Sequence, residues 1–426
     1  MLSIFCDFIL LAFIIIGLLF KEKFYSPTMI LATSFFLLFF LAQLRFYGLF
    51  KASASVYLII TFGICAFFLG TRLVTATNVR LEKSNVNLAK LGIQVQSIYK
   101  ILVFLAFVSF FIELVYAIPS FEYIRGGGSL YEMRYNQFAQ QNGSLNQNAI
   151  IVFLHSYVSV PLLYIELPLS LISRIENKKN LLLVLTTLIT FLYFIGNGAR
   201  MPFIYFVASL VSILLVFFDE LKSKKKIRKI LVAIIFFVLV INLFTVLRKS
   251  GKNLSSDNQT FLQGIYYYLC GSVVNFGIKV PYIYSSENLL GMGTFYGFFT
   301  ILSNFFNLPR MENANDFFDL IQRGVITISS DSSSPYNFCV TGFLPSYADG
   351  KLMGIFLMSF LLGVIIQFVY HLFLSKGNIK WFVMYMLSMQ LMIIYVITNL
   401  LSQISFCLAI IYTLIFLNSR RKKQRK

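Results

Sequence analysis

The chain has 426 residues, of which 58% are hydrophobic and 12% charged, with a formal net charge of +19. A soluble globular domain carries about 25% charged residues, so the composition excludes that class and leaves a polytopic membrane protein. The densest basic clusters, 222–229 and 420–426, abut apolar runs, which argues against nucleic acid and for anionic lipid headgroups as their partner.

Apolar runs of spanning length must be helices, because hydrocarbon offers the backbone no hydrogen-bond partners. In chain order the runs cover residues 2–20, 28–44, 54–70, 101–118, 149–172, 181–194, 202–218, 230–246, 352–374, 381–400 and 404–417. They predict an all-α fold of about eleven transmembrane helices in a single membrane domain, 1–426. The first run is long enough to span, and no small-residue cleavage site follows it, so it reads as a retained helix.

Two longer polar stretches interrupt the runs. Residues 119–148 form an outer loop with Arg125, the Gly126-Gly127-Gly128 run and Arg134. Residues 247–350 form a second outer loop, far longer than a connection needs, and such loops are usually functional. Within it, 266–284 and 295–306 are apolar enough to lie on the membrane as short interfacial helices; Asn275 and Lys279 interrupt the first. About two thirds of the 36 Lys and Arg residues fall on one side of this arrangement, which puts the N-terminus outside and the C-terminus inside. Five scattered cysteines have no metal-ligand spacing, and Cys270 and Cys339, both in the long loop, read as unpaired.

Three outer loops each present arginine. Gly126 to Arg134 offers free backbone N–H groups beside a guanidinium. Gly196-Asn197-Gly198-Ala199-Arg200-Met201-Pro202 is a tight turn whose proline opens the next helix, placing Arg200 at a helix N-terminus that favours an anion. Leu247-Arg248-Lys249 opens the long loop. One such arginine only anchors a helix at the headgroups. Three on a side that should be poor in basic residues point to a phosphate or pyrophosphate site.

Asp7, Glu113, His155 and Glu166 are ionisable groups within spans, which are costly and often functional. Asp7 and Glu113 lie near enough to predicted span ends to reach water; Glu166 lies towards the inner end. His155 reads either as a general base or as a histidine hydrogen-bonded between helices, and His371 as structural. Tyr266, Tyr267, Tyr268 and Tyr336 read either as platforms for sugar rings or as interfacial aromatics. No metal-ligand grouping is visible, so no metal and no cofactor is expected.

From Gly196 to about Gln367 the chain resembles the oligosaccharide repeat-unit polymerases of bacterial surface polysaccharide synthesis, the O-antigen polymerase (Wzy-type) family. Gly198-Ala199-Arg200 is similar to that family's Gly-Ser-Arg turn, with Ala199 in place of serine. Leu247-Arg248 is similar to its arginine at the start of the large outer loop, and Tyr267 to Ser272 and Gly291 to Gly297 to that loop's interior. Thr341-Gly342-Phe343 through Tyr347-Ala348-Asp349 to Gly354 resembles the segment that re-enters the membrane. Pro345-Ser346 and Gly350-Lys351 depart from the family pattern, leaving Asp349 as the acid there.

The resemblance implies a GT-C-like fold and a metal-independent glycosyltransferase in the bacterial inner membrane, its site facing the outside. Donor and acceptor would be polyprenyl-pyrophosphate-linked oligosaccharides, with a chain-length regulator left open as a partner. Arg200 and Arg248 would stabilise the departing pyrophosphate, with Arg134 and Arg323 in support. Asp349, Glu132 or His155 would serve as base, and Tyr336 would contact sugar. The alternatives are a lipid-linked oligosaccharide flippase, which calls for short loops and a charged cavity, and an O-antigen ligase, which shares the donor and differs in acceptor. A membrane scaffold would leave the outer arginines without a role.

Overall fold

A computed structural model describes residues 2–77, 86–129, 133, 148–218, 220–221, 261–323, 326–331, 336 and 339–417. Among them the chain is all-helical, with two isolated β-bridges and no strands. Six helices are long and apolar enough to cross a membrane: α1 (Leu2–Leu19), α2 (Pro27–Leu44), α3 (Ala54–Thr77), α4 (Leu88–Arg125), α5 (Ala149–Asn177) and α11 (Phe343–Lys376). Four shorter apolar helices accompany them: α6 (Leu181–Asn197), α7 (Met201–Val216), α12 (Ile379–Ile394) and α13 (Ile404–Phe416). Between these groups lie α8 (Phe261–Tyr284), α9 (Tyr296–Ser303) and α10 (Met311–Arg323). Ten of the eleven apolar runs thus coincide with described helices, and the run 230–246 lies outside the described residues.

Large apolar side chains face outward along the long helices: Phe8, Leu69, Phe104, Phe111, Leu357 and Phe368 are each at least half exposed. A soluble protein does not expose such a surface, whereas lipid accepts it.

Lipid supplies no hydrophobic force between spans, so helices associate where small residues let backbones approach. The most extensive pairing, α3 with α11, has this form. A Cβ on Gly70 would sit 2.2 Å from the Phe360 carbonyl oxygen, and one on Gly363 would sit 2.2 Å from that of Phe67. The second large pairing sets α4 against α6, with α5 beside both.

The two ends of the molecule are distinct. At one end Arg72 bonds Glu22 (2.5 Å), Asn177 bonds the Gly92 carbonyl (3.0 Å) and Gln94 accepts from the Ile379 amide (2.7 Å). The α6–α7 turn, the α2–α3 loop, helices α8 to α10 and residues 395–403 gather at the other.

Several boundaries differ from expectation, each for a local reason. The helix expected over 101–118 continues through Pro119 to Arg125, so 119–125 is not loop. The span expected over 381–400 stops at Ile394. Its continuation is unwound, and neighbours use the freed polar groups. The Gly342 amide donates to Tyr395 O (2.7 Å) and Ser272 Oγ to Val396 O (2.7 Å). α8 is no bare interfacial helix: it packs against α2, α3 and α11, burying Cys270, Val273, Asn275 and Phe276. Cys270 and Cys339 are free thiols. α11 is broken at Gly350–Lys351, where Lys351 takes a positive φ of 55°. Its ammonium donates to the carbonyls of Ile283 and Ser286, the last turn of α8 and the residues after it, where a cation complements the helix dipole.

Candidate functional site

The α6–α7 turn carries the residue with the clearest capacity for an anion. Gly198 closes α6 with φ +58°, a conformation glycine adopts without strain. Arg200 caps α7, and Pro202 sits in the first turn, where its missing N–H is harmless. The Arg200 side chain is half-buried, and its buried Nε has no hydrogen-bond partner. Burial lowers its pKa from the ordinary value, while nearby Tyr268 and Cys339 act in the opposite direction. A guanidinium at a helix N-terminus with a free N–H is suited to bidentate binding of phosphate.

Tyr268 from the long loop lies beside it. Tyr268 on α8 donates its hydroxyl to Met201 Sδ (2.9 Å). Tyr336 pairs its backbone with Ile326 (both N–H···O 2.9 Å) and donates its hydroxyl to the Tyr268 carbonyl (3.2 Å). Burial pushes the Tyr336 phenol well above its ordinary pKa, so it stays a neutral donor. Tyr268 therefore links the two segments, its hydroxyl on Met201 next to Arg200 and its carbonyl on Tyr336.

Tyr266 and Tyr267 do not line this space. They are 8% and 5% exposed, and their hydroxyls bond Leu41 O (2.8 Å) and Tyr47 O (2.5 Å). They fasten α8 to the α2–α3 loop and present no ring face to a sugar, which corrects the platform reading for these two.

Asp349 belongs to another neighbourhood. Its carboxylate accepts from the amides of Gly293 (2.7 Å) and Thr294 (2.9 Å) and from Thr294 Oγ1 (2.5 Å). Asn399 in turn donates to Thr294 O (2.7 Å). Gly293 is required here: a Cβ would lie 2.6 Å from Pro345 O and 2.9 Å from Asp349 Oδ1. With three donors satisfied, Asp349 clasps the 291–294 loop to α11. A general base needs a free lone pair facing its proton, which this arrangement does not favour.

His155 and Glu113 form a buried pair, Nδ1 to Oε1 2.7 Å, with side chains 6% and 0% exposed. Glu113 therefore does not reach water, contrary to its expected place near a span end, because α5 and α6 cover it. The imidazole lies flat on Tyr116 (centroids 3.8 Å, 4°) with Tyr193 edge-on (4.9 Å, 69°). Of the two readings for His155, the interhelical hydrogen bond is the one observed. Glu113 as its partner, and Tyr116 as the ring against it, were not evident from the sequence. The spacing of Glu113, Tyr116 and Ser120 along one face of α4 was the available signal.

No family model, curated protein or solved structure matches the chain. The site rests on its own geometry. Arg134, Arg248 and Glu132 lie outside the described residues, and Arg323 is the last residue of α10. Among the described residues no three His, Cys, Asp or Glu side chains group closely enough to hold a metal.

Proposed function

We propose that the protein is a membrane glycosyltransferase that joins lipid-linked oligosaccharide repeat units. About eleven spans, counting four short helices and the run 230–246, would set the Arg200 end towards the outside of a bacterial inner membrane. The basic residues Lys21, Lys23, Arg72, Lys178 and Lys376 at or near the opposite end support that orientation. The observation that carries the reading is the half-buried Arg200 guanidinium at the start of α7, unpartnered at Nε. The motif-level similarity of Gly198-Ala199-Arg200 to the polymerase turn adds to it.

In the reaction the acceptor hydroxyl oxygen bonds to the donor's anomeric carbon. The bond from that carbon to the pyrophosphate breaks, and the hydroxyl proton leaves to a base or to the released pyrophosphate. Negative charge grows on the leaving group, and Arg200, at the positive end of the α7 dipole, would stabilise it more in the transition state than before it. Arg248 and Arg134, outside the described residues, would add positive charge for the same pyrophosphate. Tyr336 and Tyr268 would hold the sugar next to the pyrophosphate, and Asp349 and Asn399 would keep the loop between them in place.

The test is complementation of a bacterium deleted for this gene. Wild-type protein restores long polysaccharide chains, and Arg200→Ala at equal abundance leaves single capped repeats. Arg200→Lys is also weak, because an ammonium lacks the fork geometry. Loss of all attached sugar would point to ligation, and long chains from Arg200→Ala would remove the proposed role.

A further inference from the structure

The buried Glu113–His155 pair is not used by the chemistry above, yet the fold departs from regular helix to build it. Pro161 has no N–H for the Tyr157 carbonyl four residues earlier. α5 widens there into a π-turn over His155–Ser159, a feature that re-aims side chains and is frequent at functional sites. α13 compensates the disturbed backbone: Tyr412 donates its hydroxyl to Tyr157 O (2.7 Å) and Ser405 to Ser156 O (2.9 Å). The result directs His155 between α4 and α6, with Glu113 Oε1 on its Nδ1 and Glu113 Oε2 buried without a partner.

From this pair a continuous set of contacts runs to the Arg200 turn. The imidazole supports the Tyr116 ring, and the Tyr116 hydroxyl donates to Asn197 Oδ1 (3.2 Å). Gly196 lies directly against Tyr116: a Cβ there would be 2.5 Å from Cδ1 of its ring. One turn further along α4, Ser120 donates to Gly196 O (3.2 Å). Asn197 is the last residue of α6, three before Arg200.

We propose that Glu113 and His155 are positioning residues for Arg200, acting through Tyr116 and Asn197. The carboxylate locks the imidazole's rotation, the imidazole fixes the Tyr116 ring, and that ring with its hydroxyl fixes the turn's register. A guanidinium aimed at a transition-state charge is sensitive to this, since a displacement of about 1 Å can cost about 100-fold in rate. The inference rests on the catalytic role proposed for Arg200.

The experiment uses the full-length protein reconstituted with lipid-linked repeat unit, with kcat, KM and melting temperature read for each variant. Glu113→Ala and His155→Ala should lower kcat about 10- to 100-fold with KM for the donor little changed. Glu113→Gln, whose amide oxygen still accepts from Nδ1–H, should restore most of the rate. Tyr116→Phe removes only the hydroxyl and should cost less, and it remains informative where an alanine variant fails to fold. The deciding measurement is the combination with Arg200→Lys: if the pair acts through Arg200, adding Glu113→Ala lowers the residual rate less than about twofold. Losses that multiply in the double variant, or wild-type kcat in Glu113→Ala and His155→Ala while Arg200→Ala is inactive, would overturn the proposal. Full activity in Arg200→Ala is a separate result, and it would overturn the underlying role as well.

Discussion

Asp349 and His155 show how differently two ionisable residues can be used at one end of a helical protein. Each reads in sequence as a candidate base. Asp349 is spent on three donors from Gly293 and Thr294, and His155 on Glu113. For Asp349 the expected consequence of substitution is instability. Asp349→Ala leaves the Gly293 and Thr294 amides buried without this acceptor, at about 2 kcal/mol or more, while the Thr294 hydroxyl keeps Ser346 Oγ (2.9 Å). Asp349→Asn keeps one acceptor oxygen and should cost less. Thermal melting in detergent should rank the three as wild type, Asn, Ala; an unshifted Asp349→Ala would show that the loop is held otherwise. What the sequence could reveal here was chemical type and rough depth. It could not reveal the partner, because Glu113 and His155 are 42 residues apart and meet only once α4 and α5 pack.

At the scale of elements, apolar length made the helices legible, and special residues made their ends legible: Gly198 and Pro202 mark the α6–α7 turn at the expected place. Less legible was what covers an apolar helix. α8 carries Asn275 and Lys279, which argue locally for an interface. In the fold Asn275 Nδ2 donates to Cys339 O (3.1 Å) and Lys279 Nζ to Leu320 O (3.1 Å). Those partners come from elsewhere in the same long loop, so both donors are satisfied inside the protein and α8 is buried. The break after Ile394 was hidden for a similar reason: residues 395–400 are apolar enough to continue a helix, and only the donors from Gly342 and Ser272 explain the unwinding. The α3–α11 crossing gives a sharp prediction. Gly70→Leu must displace backbone of α11 and should destabilise by roughly 3 kcal/mol. Gly264→Ala on α8, with nothing within 4 Å of the new methyl, should be neutral or slightly stabilising. Melting temperatures of the two variants check this, and equal stability would mean that the crossing is looser than described.

For the whole molecule, composition already excluded a soluble fold, and the outward-facing Phe8, Phe104 and Phe111 agree with that. The division into two ends could be anticipated from where Lys and Arg cluster, and it places Arg200 and Tyr336 together at one of them. Cysteine labelling in intact cells tests the direction. A membrane-impermeant maleimide should modify Asn288→Cys, on the Arg200 end, and should reach Asn180→Cys only after the cells are opened. The reverse pattern would put the Arg200 end on the cytoplasmic side and overturn the proposed orientation.

The claim that everything else depends on is that Arg200 stabilises a departing pyrophosphate. Its most direct test is reconstitution of purified protein with a lipid-linked repeat unit, measuring polyprenyl pyrophosphate released per sugar unit joined. One is expected for each new linkage with wild-type protein, and a rate at least about 100-fold lower for Arg200→Ala of unchanged melting temperature. Release by Arg200→Ala at the wild-type rate, or none by the wild-type protein under any acceptor condition, would contradict it.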